Sequence, residues 1–488
     1  MERLHDACGV VGIYAQENID VRNSLVLALT ALQHRGQESA GIAVYDGEGK
    51  IVQRIGMGKV HEVFPDMGAG LPTTYCGIGH VRYSTSGVSC IKNAGPFIVS
   101  LKYSPYDPIA VAHNGNLVNG SYLHEQLPQE FLRSTTDSEA IALMLLYADG
   151  LTLRERMISI IPQLFGAYSL VILAEGRLYA IRDPWGMRPL CLGRIGENWI
   201  VASESCAMDC TGATFVRHVE PGELVTVDEY GMHSERLVQF PRQTLCVFEY
   251  IYFCDATSQL NGKYVYSVRE SMGRELARQQ PVDADLVTPV PDSSVPAARG
   301  YAAVSGIPYE QAIIKNRYSD RSFIKPNQLL RRQEVERKFQ LISSKIRGKR
   351  LVVVDDSIVR GHTMKHLVVE LYAQGAKEVH VRSSAPPLRH PCYFGIDIPQ
   401  EAELIAARRS TQEVADYLGV DSLGYLSLPG LSRALNTAKE SSTIDNSAIG
   451  FLHSNFCYGC MEKQGWPFKP PDAVKMQQPF VPLIVVMQ

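Results

Sequence analysis

The stretch that most constrains this chain is residues 349–365, KRLVVVDDSIVRGHTMK. Residues 351–354 are apolar and mostly β-branched, which predicts a short buried strand of a parallel sheet. The run stops at two adjacent carboxylates, Asp355 and Asp356. A turn of small and polar residues follows (Ser357, Gly361, Thr363), and apolar periodicity over 364–372 predicts a helix. A strand, a polar turn and a helix start together aim backbone N–H groups and the positive end of a helix dipole at one point, where they suit a phosphate. Carboxylates at the strand's carboxyl end suit Mg²⁺ or the hydroxyls of a sugar. A lone pair of aspartates is more often an ordinary solvated turn. Two carboxylates, hydroxyls, Arg360 and Gly361 within residues 355–363 favour a sugar-phosphate site.

A chain of 488 residues exceeds one ordinary core and predicts two or three domains. Its net charge of −3, from 48 basic and 51 acidic residues, offers no bulk attraction to nucleic acid or anionic membrane. No apolar run approaches bilayer length, and the opening MERLHDA lacks the apolar core of a secretory signal. The expectation is a soluble, cytoplasmic protein with no nucleic-acid or membrane partner. Eleven cysteines in so long a chain do not make a disulfide framework. They divide instead into buried thiols, catalytic thiols and metal ligands.

Cys8 opens the apolar run of HDACGVVGIY, between small neighbours that leave its backbone accessible. Four further strings follow in order: LQHRGQESAGIAVYD (32–46), GHVRYST (79–85), AHNGNLVN (112–119) and STTDSE (134–139). Each has a plain local reading. Asn114-Gly115 is a hairpin turn signal, Arg82 a strand residue, and Asp137 a helix cap before the apolar run 140–147. As an ordered set they resemble the glutaminase domain of the class II, N-terminal-nucleophile amidotransferases. That resemblance implies an α+β domain of αββα layers over residues 8–235, and a propeptide, residues 1–7, whose removal makes Cys8 the first residue. It further implies that the Cys8 thiolate attacks the glutamine carboxamide and that its own α-amine moves the proton. Asn114 and the Gly115 N–H would form the oxyanion hole, Arg82 would clamp the glutamine α-carboxylate, and Asp137 its α-ammonium. Gly95 stands where the family usually has glutamine.

VVVDDSIVRGHT resembles the phosphoribosyl-pyrophosphate (PRPP) loop of the type I phosphoribosyltransferases, in the form found in the glutamine PRPP amidotransferase family. The resemblance implies an α/β domain with a parallel sheet over residues 236–450. Its PRPP residues would be Asp355, Asp356, Ser357, Ile358, Val359, Arg360, Gly361, His362 and Thr363, with Asp355, Asp356 and Ser294 (in VTPVPDSSVPAARGYA) placed at Mg²⁺. The basic run 329–338 reads by itself as a solvated helix face. By resemblance it belongs to a lid that brings Tyr318, Arg321 and Lys338 over PRPP. His362 replaces a usual threonine, Asp320 a usual glycine, and FCDATS (253–258) a string that normally carries arginine.

The tail, 451–488, holds Cys457 and Cys460 at CxxC spacing, with Cys246 and Cys392 far upstream. Spacing does not decide between zinc and an iron–sulfur cluster. The resemblance implies a [4Fe–4S] cluster on these four cysteines. It also implies the entry step of purine synthesis: glutamine, PRPP and water give 5-phosphoribosylamine, pyrophosphate and glutamate. A homotetramer inhibited by purine nucleotides (AMP, GMP, ADP, GDP) is expected with it. Two competing functions lack support. A glucosamine-6-phosphate synthase would need a sugar-isomerase domain in place of the DDSIVRG loop, and a PRPP-sensing regulator would bring a DNA-binding helix and has no use for a processed cysteine.

Overall fold

A strand that is buried along its whole length must be covered on both faces, and Gly9–Tyr14 is such a strand. In the computed structural model, which describes residues 8–16, 20–83, 89–100, 108–238, 242–316, 339–396, 400–436 and 447–468, it lies in a seven-stranded antiparallel sheet. The order is Thr214–His218, Cys191–Ile195, Asn198–Ala202, Gly9–Tyr14, Cys76–Arg82, Ser39–Tyr45, Ile51–Met57. A second antiparallel sheet of six strands packs on it, in the order Gly231–Arg236, Glu223–Asp228, Arg177–Arg182, Gly166–Ala174, Ile109–Leu117, Phe97–Val99. Val10, Ile78 and Ala43 of one sheet meet Ala112, Val171 and Leu178 of the other in a shared apolar layer. Helices Arg22–Ala31 and Cys206–Thr211 cover the far face of the first sheet. Asp137–Tyr147 and Leu153–Ile160 cover the far face of the second. The result is the expected αββα stack.

The second half is built on four parallel strands in sequential order: Leu286–Pro289, Arg350–Asp355, Glu378–Ser383 and Ser422–Tyr425. Alternation within the apolar run decides its two faces. Val352 and Val354 join helices Val265–Gln279, Val295–Ser305 and Leu428–Leu435, whereas Leu351 and Val353 join His362–Ala373 and Thr411–Leu418. The carboxyl end of the central strand is thus open to a ligand, as expected of this sheet type. Helix Ser447–Asn455 straddles the expected limit at residue 450, and the strand Phe456–Cys457 after it pairs in parallel with Leu245–Cys246. Among the described residues no helix is long and apolar enough to cross a membrane. Residues 1–7, Tyr318, Asp320, Arg321 and Lys338 lie outside the described residues.

The halves meet across buried charge. Arg35 is wholly buried and pairs with Glu204 of its own domain and with Glu249 just past the domain boundary, the latter at 3.0 Å. Arg188 binds Glu249 at 3.1 Å. Removing Glu249 would leave two buried guanidinium groups without their shared carboxylate, a change that costs about 3–5 kcal/mol. Glu249→Ala is therefore expected to lower the urea midpoint sharply, and an unchanged midpoint would show that the junction does not depend on this pairing.

Candidate active site

Gly9 pairs with Val81 across antiparallel strands, which sets Cys8 beside Arg82 at the sheet's end. The Cys8 thiol is buried and donates to the Tyr83 carbonyl at 3.4 Å. Burial pushes its pKa up, only partly countered by that bond and by Arg82. The resting thiol is thus protonated, and a nucleophile here needs a base within reach. Arg82, 4% exposed, has Glu38 at 3.8 Å. Asn114 is fully buried with neither amide atom paired among the described residues. An unpaired buried amide is costly, so its persistence points to a ligand group that completes it. Asn114 and Gly115 lie within the strand Ile109–Leu117, so the hairpin reading does not hold. Gly115 has φ +153° and a side chain there would meet the Ala167 carbonyl, so only glycine fits.

Asp137 opens the helix Asp137–Tyr147, while the capping is done by Thr136. Its carboxylate accepts from the Leu117 N–H at 2.9 Å and lies 3.6 Å from His113 Nδ1. Burial alone would raise the Asp137 pKa, but His113 and two backbone N–H groups outweigh it and hold the carboxyl below its usual range. His80 Nε2 donates to the carbonyl of His113, immediately before Asn114, at 3.1 Å.

At the open end of the parallel sheet is a cavity of about 410 Å³ lined by Asp355, Asp356, Ser357, Ile358, Val359, Gly361 and Thr363. Asp355 accepts from the Asp356 N–H at 2.9 Å, and Asp356 accepts from Ser357 Oγ at 2.8 Å. Gly361, at φ +80°, leads into the helix, and a Cβ there would crowd Ile405. Three expected residues are not brought to this cavity. Ser294 is buried with its hydroxyl on the Val290 carbonyl, and the adjacent Ser293 reaches Asp356 instead. Arg360 pairs with Glu403 at 2.9 Å. His362 turns to the Tyr417 hydroxyl at 2.8 Å, a ring that Lys365 also overlies.

Cys246, Cys392, Cys457 and Cys460 line one further cavity, of about 340 Å³, with Arg188, Phe394 and Trp466. The strand pairing sets Cys246 directly opposite Cys457. Burial raises all four thiols, that of Cys457 to about 12, so a metal group bound there would have to supply the charge that makes them thiolates. Among the described residues no three of them gather within 4.8 Å of one another. A tetrahedral zinc, with Zn–S of about 2.3 Å, holds its sulfurs roughly 3.8 Å apart. The four cysteines do not show that spacing among the described residues. His34, Glu204 and Cys206 do gather that closely, yet Glu204 is already bonded to Arg35, Ser258 Oγ and the Asp255 N–H, an ion-pair junction.

Residues 96–210 match the glutamine amidotransferase domain family and 268–392 the phosphoribosyl transferase domain family. The amidophosphoribosyltransferase of Archaeoglobus fulgidus is 45% identical over 88% of this chain and 94% of its own length. The chain belongs to the amidophosphoribosyltransferase family. The amidophosphoribosyltransferase of Bacillus subtilis is 41% identical over 90% of this chain and 92% of its own. A solved B. subtilis glutamine PRPP amidotransferase, complexed with ADP and GMP, superposes with a TM-score of 0.84 at 39% identity, covering 93% of this chain and 96% of that one. A structure described as the allosteric regulatory enzyme of purine biosynthesis gives 0.86, also at 39% identity, over 96% and 98%.

As an amidophosphoribosyltransferase the chain shows supporting groups that the motifs alone did not single out. His80 and His113 lie inside GHVRYST and AHNGNLVN, but nothing in a linear motif says that one histidine holds the other's carbonyl across two sheets. Ser293 is one residue from the expected Ser294, an offset set by the helix start at Val295.

Burial pushes the His80 imidazole down to about 3, so folding favours its neutral form. In the unfolded chain its pKa is about 6.5, so the contribution is complete above that pH and is lost as pH falls, by about 1.4 kcal/mol per unit. His80→Gln is expected to flatten the fall in urea midpoint between pH 6 and pH 4; an unchanged slope would mean that His80 is not the buried neutral group.

Proposed function

We propose that the chain hydrolyses glutamine at Cys8 and passes the ammonia to PRPP at the DDSIVRGHT loop, yielding 5-phosphoribosylamine, pyrophosphate and glutamate for purine synthesis. The observation that carries this reading is the presence, in one chain, of a buried thiol near Arg82 and Asp137, a buried asparagine whose amide is unpaired among the described residues, and an acidic cavity at a parallel sheet's carboxyl end.

Removal of residues 1–7 gives Cys8 a free α-amine, whose pKa of about 7.7–8.0 suits a base that must both take and return a proton. The amine takes the thiol proton and the sulfur attacks the carboxamide carbon. Asn114 Nδ2 and the Gly115 N–H receive the developing oxyanion. As the C–N bond breaks, the α-ammonium returns its proton to the departing nitrogen, and ammonia leaves behind a thioester that water opens to glutamate. Arg82 and Asp137 hold the two charged groups of the amino acid, and their burial makes that recognition strict. The ammonia moves within the protein to the ribose C1, where its lone pair forms the C–N bond as the bond to pyrophosphate oxygen breaks.

In the second site Asp355 and Asp356 face the ribose hydroxyls and Mg²⁺, and Ser357, Ile358, Val359, Gly361 and Thr363 cradle the 5-phosphate. The paired carboxylates fit such an ion, which when bound with PRPP supplies positive charge to the leaving pyrophosphate. By the family resemblance Tyr318, Arg321 and Lys338, which lie outside the described residues, contact PRPP. The four cysteines fit a structural [4Fe–4S] cluster, since the reaction moves no electrons. The limits 8–235, 236–450 and 451–488 describe the functional units, which assemble as a homotetramer. The ADP and GMP bound by the B. subtilis relative support inhibition by purine nucleotides.

Cys8→Ala is expected to abolish the glutamine-dependent reaction while keeping most synthesis from high ammonia, and Asp355→Ala to lose both. Glutamine-dependent activity surviving in Cys8→Ala would refute the nucleophile. Anaerobically purified protein is expected to contain iron and acid-labile sulfide, and zinc alone would refute the cluster.

A further inference from the structure

The carbonyl of Cys8 accepts from Arg35 Nε at 3.1 Å. The same guanidinium grips both oxygens of Glu249, at 3.0 and 3.1 Å, and Arg188 Nη1 adds a bond to Glu249 Oε1 at 3.1 Å. Arg188 Nη2 donates to the Phe394 carbonyl at 2.8 Å, and the Phe394 N–H donates to Cys392 Sγ at 3.3 Å. A continuous hydrogen-bonded path therefore joins the nucleophile's own residue to one wall of the four-cysteine cavity. Its three charged members are at most 1% exposed, so no water substitutes for a lost bond.

A second contact runs beside the first. Asn116 Nδ2 donates to the Tyr393 carbonyl at 3.1 Å. The backbone at Gly395 approaches so closely that a Cβ there would lie 2.9 Å from Arg188 Nη2 and 3.1 Å from the Gly115 carbonyl carbon. The cysteine-bearing loop 392–396 therefore rests on the strand that carries the oxyanion donors. Arg188 lines the cysteine cavity, and its Nε has no partner among the described residues. An orphaned N–H on a buried cation calls for an anion. Four thiolates around a [4Fe–4S] core carry net negative charge and would provide one.

We propose that Arg188 is the positioning residue that ties ligation at the four cysteines to the geometry of the glutaminase site, acting through Glu249, Arg35 and the loop 392–396. The inference rests on the cluster reading above. With the cysteines ligated, Arg188 is drawn to the anion and holds Glu249 and Phe394 in register. With them stripped, the loop and the Arg35 bond to the Cys8 carbonyl relax together, and the thiol is no longer held for attack.

The test compares full-length protein, purified without oxygen, before and after removal of iron by a chelator under argon. Alkylation of Cys8 by iodoacetamide is followed by the mass of the N-terminal peptide. Stripped protein is expected to react about fivefold more slowly, the effect of roughly one buried hydrogen bond. In Arg188→Met the cluster's reduction potential is expected to fall, because a nearby positive charge is gone, and its visible absorbance to bleach faster in air. Arg188→Lys is expected to restore the potential but not the Cys8 rate, since it keeps the charge and loses the fork. Equal alkylation rates for loaded and stripped protein, or an unchanged potential in Arg188→Met, would overturn the inference while leaving the cluster intact. Absence of iron and sulfide from the wild-type protein would overturn both, and is distinguished by the metal content itself. Should Arg188→Met fail to fold, the loaded and stripped wild-type comparison still decides.

Discussion

Arg35 has no exposure to solvent, and the structure around it is arranged to satisfy its charge. One guanidinium holds the carbonyl of Cys8, a carboxylate of its own domain (Glu204) and a carboxylate past the domain boundary (Glu249). A buried guanidinium is stable only when such partners are kept in place, so the backbone of Cys8 is held by the same bonds that fix the junction. Two catalytic halves joined by a loose linker would have no means of keeping a reactive intermediate between them. Here the junction begins at Cys8, the nucleophile of the proposed mechanism.

The two sites solve opposite electrostatic problems. The glutaminase pocket must hold a zwitterion and then meet an oxyanion, and the groups proposed for this, Arg82, Asp137 and Asn114, are withdrawn from water. Withdrawal strengthens each contact and makes an unpaired amide conspicuous until substrate fills it. The phosphoribosyl site must hold a heavily charged ligand, and it is correspondingly an acidic turn with hydroxyls at the end of a sheet. Asp355 and Asp356 are kept apart in function by their bonds: one orients the backbone of the turn, the other is fixed by Ser293 and Ser357.

Much of this was legible in the sequence because the determinants are local. The run 351–354 with its carboxylates dictates strand, turn and helix within a few residues, and the structure places them so. The strings around Cys8, Asn114 and Asp137 likewise single out polar side chains that the structure buries. What escaped is set by partners distant in sequence. Arg360 belongs to Glu403 and His362 to Tyr417, so neither lines the cavity that their loop encloses. Ser294 is turned away by the helix that it precedes, and its neighbour takes the contact. The His80 bond to His113 and the path from Arg188 to Cys8 cross between sheets and domains, where no spacing rule reaches.

The central claim is that the two sites work as one enzyme with nitrogen handed over inside the protein. The most direct measurement supplies glutamine labelled with ¹⁵N in its amide, together with PRPP and an excess of unlabelled ammonium, and reads the isotope in the 5-phosphoribosylamine formed. The account predicts product that keeps the amide label almost undiluted. Product whose label falls in proportion to the ammonium added would contradict it.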